Sequence, residues 1–169
     1  MSKLNLKKVK IAFFDLGGVL SVPRYADAYG NIGCSVPDDY WFKYCNWKSD
    51  VYALCKPIKQ TKELLQELKK QGTRLYVLTH ETNSGAYFNK VDFVLNNYRE
   101  YFESYRQVLF VNKTEKKVDI MQVLCEKYGV AHNNCLLVED TYDTCMKANE
   151  LGYQAMHISE LFVLGGDSK

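Results

Sequence analysis

A chain of 169 residues is long enough for one hydrophobic core of ordinary size and too short for two comfortable domains. Its 22 Lys and Arg nearly balance 20 Asp and Glu, a formal net charge of +2. That excludes the strong basic field that argues for nucleic acid, and it leaves a phosphorylated partner open. Cysteines 34, 45, 55, 125, 135 and 145 never form a CxxC pair, and His80, His132 and His157 do not complete a zinc spacing, so no zinc site is expected. The ten-residue interval between the last three cysteines has no meaning for a disulfide or a metal site. "MSKLNLKK" is basic without an apolar core of signal-peptide length, and no run reaches the roughly 20 apolar residues of a membrane span. The expectation is a soluble, cytoplasmic protein with reduced thiols and no membrane partner. Oligomeric state is left open.

"VKIAFFDL" (9–16) is a continuous apolar run with a β-branched and aromatic bias, ahead of two glycines. It predicts a strand buried on both faces, hence an α/β sheet. "PIKQTKELLQELKKQG" (57–72) sets Ile58, Thr61, Leu64, Leu65 and Leu68 on one helical face, with Pro57 at the start and Gly72 at the stop. A second buried strand, "TRLYVLTH", ends at Thr79. "FNKVDFVLNNYREYF" carries the helical stripe Val91, Val94, Leu95, Tyr98 and Phe102, and "QVLFV" reads as a third strand. "VDIMQVLCEKYG" predicts a helix stopped by Gly129, "CLLVED" (135–140) a fourth strand, "TCMKANELG" a helix stopped by Gly152, and "QAMHI" a fifth strand. Alternation of this kind predicts a parallel sheet of about five strands with right-handed crossovers.

Residues 22–56 break the rhythm. They hold five Tyr, two Trp, one Phe and two of the three prolines without a clean period, too apolar for a disordered tether. They read as an insertion after the first strand, within a single domain spanning 1–169.

In an open parallel sheet the ligand site lies beyond the carboxyl ends of the strands. The first strand ends at Asp15, the second at Thr79, the third leads into "NKTEKK" (112–117), and the fourth ends at Glu139 and Asp140. A carboxylate, a hydroxyl, a lysine cluster and an acidic pair at one mouth are the parts for phosphoryl transfer: nucleophile, phosphate-oxygen donor, cation, and acids for a hard divalent metal. Plainer readings exist for each alone: a strand-end turn for Asp15, helix-start acids for Glu139 and Asp140, and a solvated loop for the lysines. Neither GxxxxGK[ST] nor GxGxxG is present.

With Asp15, Gly18 and Val19 in "FFDLGGVL", Thr79 in "LYVLT", a lysine ahead of a helix, and Glu139 and Asp140 in "LLVED", the chain resembles the haloacid dehalogenase (HAD) superfamily of phosphatases from about residue 9 to 158. The likeness implies a Rossmann-like three-layer α/β/α sandwich, with 22–56 as a short cap or flap. Receiver domains of two-component signalling use similar residues in the opposite order.

Carried over residue by residue, the resemblance implies that Asp15 attacks phosphorus to form an aspartyl-phosphate and that Thr79 hydrogen-bonds a phosphoryl oxygen. Lys117 supplies the motif lysine because "KVD" resembles the family's Lys-Pro-Asp, with Lys116 and Lys113 as alternatives. His80, beside Thr79 at the mouth, is a further phosphate-binding candidate, against the plainer reading of a loop histidine. Mg²⁺ would be held by Asp15, the backbone carbonyl of Gly17 and Asp140, with Glu139 or Asp143 helping. Gly17 departs from the pattern: the family's second Asp, its general acid and base, is missing. Positioned acid–base catalysis is worth about 10²–10⁴ in rate. Two readings follow, a Mg²⁺-dependent phosphatase of weak or restricted activity on a small phosphorylated substrate or phosphoprotein, and a catalytically degenerate domain that binds a phosphorylated ligand or protein without turnover.

Overall fold

The computed structural model describes residues 4–26, 30–33, 52–80, 84–112 and 116–164. Its centre is a five-stranded sheet in which β1 (Ile11–Phe14), β6 (Arg74–His80), β7 (Val108–Val111), β8 (Cys135–Glu139) and β9 (Gln154–His157) lie in the order β7-β6-β1-β8-β9. Every pairing is parallel. Parallel neighbours require crossovers, supplied here by α1 (Lys59–Lys70), α2 (Ser84–Tyr98), α3 (Lys117–Tyr128) and α4 (Tyr142–Glu150). A short α5 (Glu160–Leu164), not foreseen from the sequence, follows β9. This is the expected Rossmann-like α/β/α architecture.

The unbroken apolar run of β1 is explained by its central place. Successive side chains alternate faces, so Ala12 and Phe14 pack with Leu64, Leu65, Leu68, Val94 and Tyr98 of α1 and α2. Ile11 and Phe13 enter the opposite layer with Val118, Met121 and Cys125 of α3 and Ala148 of α4. Within that layer the sulfurs of Cys125 and Cys135 lie 2.8 Å apart. An interval without meaning in the sequence thus becomes a contact once α3 runs back along β8.

The insertion leaves and returns through a narrow ribbon, β2 (Ser21–Val22) paired antiparallel with β5 (Lys56–Pro57). A second ribbon joins β3 (Tyr25–Ala26) to β4 (Ile32–Gly33). Residues 27–29 and 34–51 lie outside the described residues, as do Cys34 and Cys45. Pro57 was expected to open the first helix; instead it pairs with Ser21, because a two-residue ladder tolerates a missing N–H. The Ile58 N–H then goes to Tyr98 Oη at 2.9 Å and to the Leu20 carbonyl at 3.2 Å, so α1 starts at Lys59. The expected stripe to Phe102 also outlasts its helix. α2 ends at Tyr98, and Tyr101 and Phe102 stay buried in a turn whose N–H groups bond the Tyr98 carbonyl at 2.8 and 3.0 Å.

Tyr98 is fully buried, and its hydroxyl donates to the Leu20 carbonyl while accepting from Ile58 N–H. One side chain therefore ties the exit and return of the insertion together. Tyr98→Phe strips both partners of this bond, and the expected cost is about 1–3 kcal/mol, read as a lower urea midpoint with unchanged m-value.

Candidate active site

β1 ends one residue before Asp15, whose N–H continues the ladder to the Val138 carbonyl at 3.0 Å. That register, extended from Phe14↔Val138, sets Asp15 level with Glu139. Thr79, buried, and His80, exposed, end β6 on Asp15's other side. The alternation of a strand sends their side chains to opposite faces. Asp15, Thr79 and Glu139, each expected at a strand's carboxyl end, therefore gather at one end of the sheet.

Lys117 joins them from α3. It is the first residue of that helix rather than the residue ahead of it, and it is buried. Its Nζ donates to Asp15 Oδ1 at 2.6 Å and to Glu139 Oε2 at 2.7 Å. Lys116 caps α3 with its backbone, its N–H meeting the Asp119 carboxylate at 3.1 Å. Lys113 lies outside the described residues. The Glu139 carboxylate is fully engaged: Oε1 accepts the N–H groups of Asp140 at 3.1 Å and Thr141 at 3.2 Å.

One ligand oxygen from each of Asp15, Glu139 and Asp140 lies within 4.8 Å of the others, the one such group of three or more potential ligands among the described residues. Asp143, exposed in the first turn of α4, is not in it. Two of these carboxylates, Asp15 and Glu139, share the Lys117 ammonium. Burial pushes the Asp15 carboxyl above its ordinary range, Lys117 pulls it back, and Glu139 adds to the rise. Burial raises Glu139 as well, Lys117 opposes that rise, and Asp140 adds to it. Burial works against the Lys117 ammonium, but Asp15 and Glu139 together hold its pKa above the usual value. Among the described residues the cluster sets three carboxyl groups beside one ammonium.

The glycines after β1 have separate reasons. Gly18 has φ +73°, and a Cβ there would stand 2.2 Å from Asp140 Oδ2. Only glycine lets the first turn approach the Asp140 carboxylate so closely. Gly17 has no positive φ, and among the described residues its built Cβ meets nothing nearer than Asp15 Oδ2 at 3.9 Å. A cradle closed by Gly18 and lined with hard carboxylate oxygens suits Mg²⁺.

Two contacts were not foreseen. Buried Lys90 of α2 donates to the His80 carbonyl and so holds the end of β6. His157, at the end of β9, lies with Nε2 2.9 Å from the Asp140 carbonyl. Its place at a strand's carboxyl end was the available signal.

The model of the family described as haloacid dehalogenase-like hydrolase matches residues 25–158. The chain belongs to the haloacid dehalogenase-like hydrolases. The matched span begins beyond Asp15, so the first strand enters through the fold. A HAD hydrolase of family IA, variant 3, from Entamoeba histolytica superposes with a TM-score of 0.57 at 17% identity, over 88% of this chain and 83% of that one. A predicted phosphoglycolate phosphatase from Haemophilus somnus gives 0.55 at 14% identity, over 88% and 84%. A hypothetical protein from Xanthomonas campestris gives 0.51 at 16% identity over 90% of this chain, which spans only 65% of that protein. These identities make the likeness one of fold. No curated protein matches the chain by sequence. No helix among the described residues is long and apolar enough to cross a membrane.

Proposed function

We propose that this haloacid dehalogenase-like hydrolase is a Mg²⁺-dependent phosphomonoester hydrolase that works through an aspartyl-phosphate on Asp15. The observation that carries the reading is the Asp15–Lys117–Glu139 contact set beside Asp140. Lys117 holds Asp15 by Oδ1 and leaves Oδ2 without that partner, in a cluster that among the described residues sets three carboxyl groups beside one ammonium.

Asp15 and Asp140, with the Gly17 carbonyl, would hold the cation, and Glu139 serves beside them chiefly by fixing Lys117. Bound there, Mg²⁺ supplies the charge neutralisation that lets a carboxylate approach an anionic phosphoryl group. Lys117 orients the nucleophile, and Thr79 donates to a phosphoryl oxygen; His80 is exposed and has the weaker claim to that role. A carboxylate oxygen of Asp15 attacks phosphorus while the bond to the leaving oxygen breaks, the electron pair departing with that oxygen. Water then attacks phosphorus, the bond from phosphorus to Asp15 breaks, and inorganic phosphate leaves. Gly17 offers no proton to the leaving oxygen, so good leaving groups are favoured. The substrate class is a small phosphorylated molecule or a phosphoprotein.

Gly17 also favours the second reading, a degenerate domain that binds phosphorylated ligands without turnover. Purified protein with Mg²⁺ is expected to hydrolyse an aryl phosphate faster than an alkyl one, with both rates abolished by Asp15→Asn. Rates across an aryl, acyl and alkyl phosphate panel no higher than those of the Asp15→Asn control would reject the hydrolase and leave the binding domain.

A further inference from the structure

We propose that His157 is a positioning residue for the Asp140 carboxylate, acting through the Asp140 peptide. The inference rests on the reading that Asp15 and Asp140 hold a divalent cation. His157 closes β9 in register with Glu139. Its Nδ1 lies 3.2 Å from the Ser159 N–H and 2.7 Å from Ser159 Oγ. A ring nitrogen that accepts from a backbone N–H carries no proton, so in the neutral ring the hydrogen is on Nε2. Nε2–H therefore donates to the Asp140 carbonyl at 2.9 Å.

The main chain keeps the ring aimed there. His157 N–H donates to Glu160 Oε1 at 3.1 Å, and Ile158 N–H donates to the Glu139 carbonyl at 2.8 Å. The turn carrying Asp140 is thus gripped from two sides. Glu139 Oε1 takes the N–H groups of Asp140 and Thr141 from within, and His157 takes the Asp140 carbonyl from outside. The following helix adds no side-chain grip, because its N-cap Thr141 makes no capping bond. Asp140 itself is exposed and sits against Gly18 with a carboxylate oxygen beside one of Asp15, so a small turn of its peptide carries the carboxylate away from Asp15. Hydrogen bonds that orient a ligating group from behind are typically worth about 10- to 100-fold in metal affinity.

Mg²⁺ titrated calorimetrically into wild type, His157→Ala and His157→Gln tests the proposal, together with melting in EDTA. His157→Ala is expected to bind Mg²⁺ about 10-fold more weakly or worse, while its melting temperature in EDTA stays close to wild type. His157→Gln, whose amide can donate to the same carbonyl, is expected to regain part of the loss. Equal Mg²⁺ affinity in wild type and His157→Ala would overturn the positioning role. So would a loss that follows a drop in EDTA melting temperature and is not recovered by glutamine. A wild-type protein that binds no Mg²⁺ would instead strike the proposed function itself, and this inference with it.

Discussion

Gly17→Asp is expected to raise kcat on an alkyl phosphate by about 10²–10⁴, the usual worth of a positioned general acid and base. Backbone and space both admit the residue. Gly17 has no positive φ, so an L side chain adopts its conformation without strain, and among the described residues the built Cβ has only Asp15 Oδ2 near it, at 3.9 Å. That distance is ordinary van der Waals contact, and the oxygen is the one Lys117 does not bond. A carboxyl carried on this Cβ starts beside the proposed nucleophile. The gain should be largest for alkyl leaving groups, which need the proton, and small for aryl groups, which leave as stable anions. An equal rise on both, or none on either, would mean that protonation of the leaving oxygen is not what the wild type lacks.

Lys117→Met should cost about 3–5 kcal/mol of folding stability at neutral pH, the usual result of removing one partner from a buried ion pair. Lys117 is buried with two carboxylates on its Nζ at 2.6 and 2.7 Å. Without it, Asp15 and Glu139 keep their burial and lose the attraction that offsets it. Their pKa values, already raised, rise further. The folded state then binds more protons than the unfolded chain, so the variant's stability increases as pH falls through the raised values toward the unfolded ones near 4. Urea unfolding at pH 7 and at pH 5.5 checks this: the gap to wild type should narrow at the lower pH. A loss below about 1 kcal/mol, the scale of an exposed pair, would mean that the cluster is solvated in solution.

The sheet was legible because β1, β6, β7, β8 and β9 each break from apolar to polar where the strand ends. The same breaks exposed Asp15, Thr79, Glu139 and Asp140. Lys117 was legible through the family resemblance, with Lys116 and Lys113 as alternatives, but its contacts were not. A lysine's long chain can turn to solvent or core, and its descent onto Asp15 depends on how α3 packs on β8. The two-residue strands of the insertion's ribbons are too short for any period, and Tyr98's grip on Leu20 and Ile58 joins segments about 40 to 80 residues apart. Glu139 read as a helper to the metal beside Asp140, with Asp143 as its alternative. The division of its oxygens between Lys117 and two backbone N–H groups appears only with the turn in place.

The central claim is that Asp15 carries the phosphoryl group during turnover. Acid quench of the enzyme turning over an aryl phosphate with Mg²⁺, followed by peptide mass spectrometry, tests it most directly. A phosphoryl adduct on the peptide containing Asp15, absent in EDTA and in Asp15→Asn, is the result expected. Steady hydrolysis without any adduct, undiminished by Asp15→Asn, would contradict it.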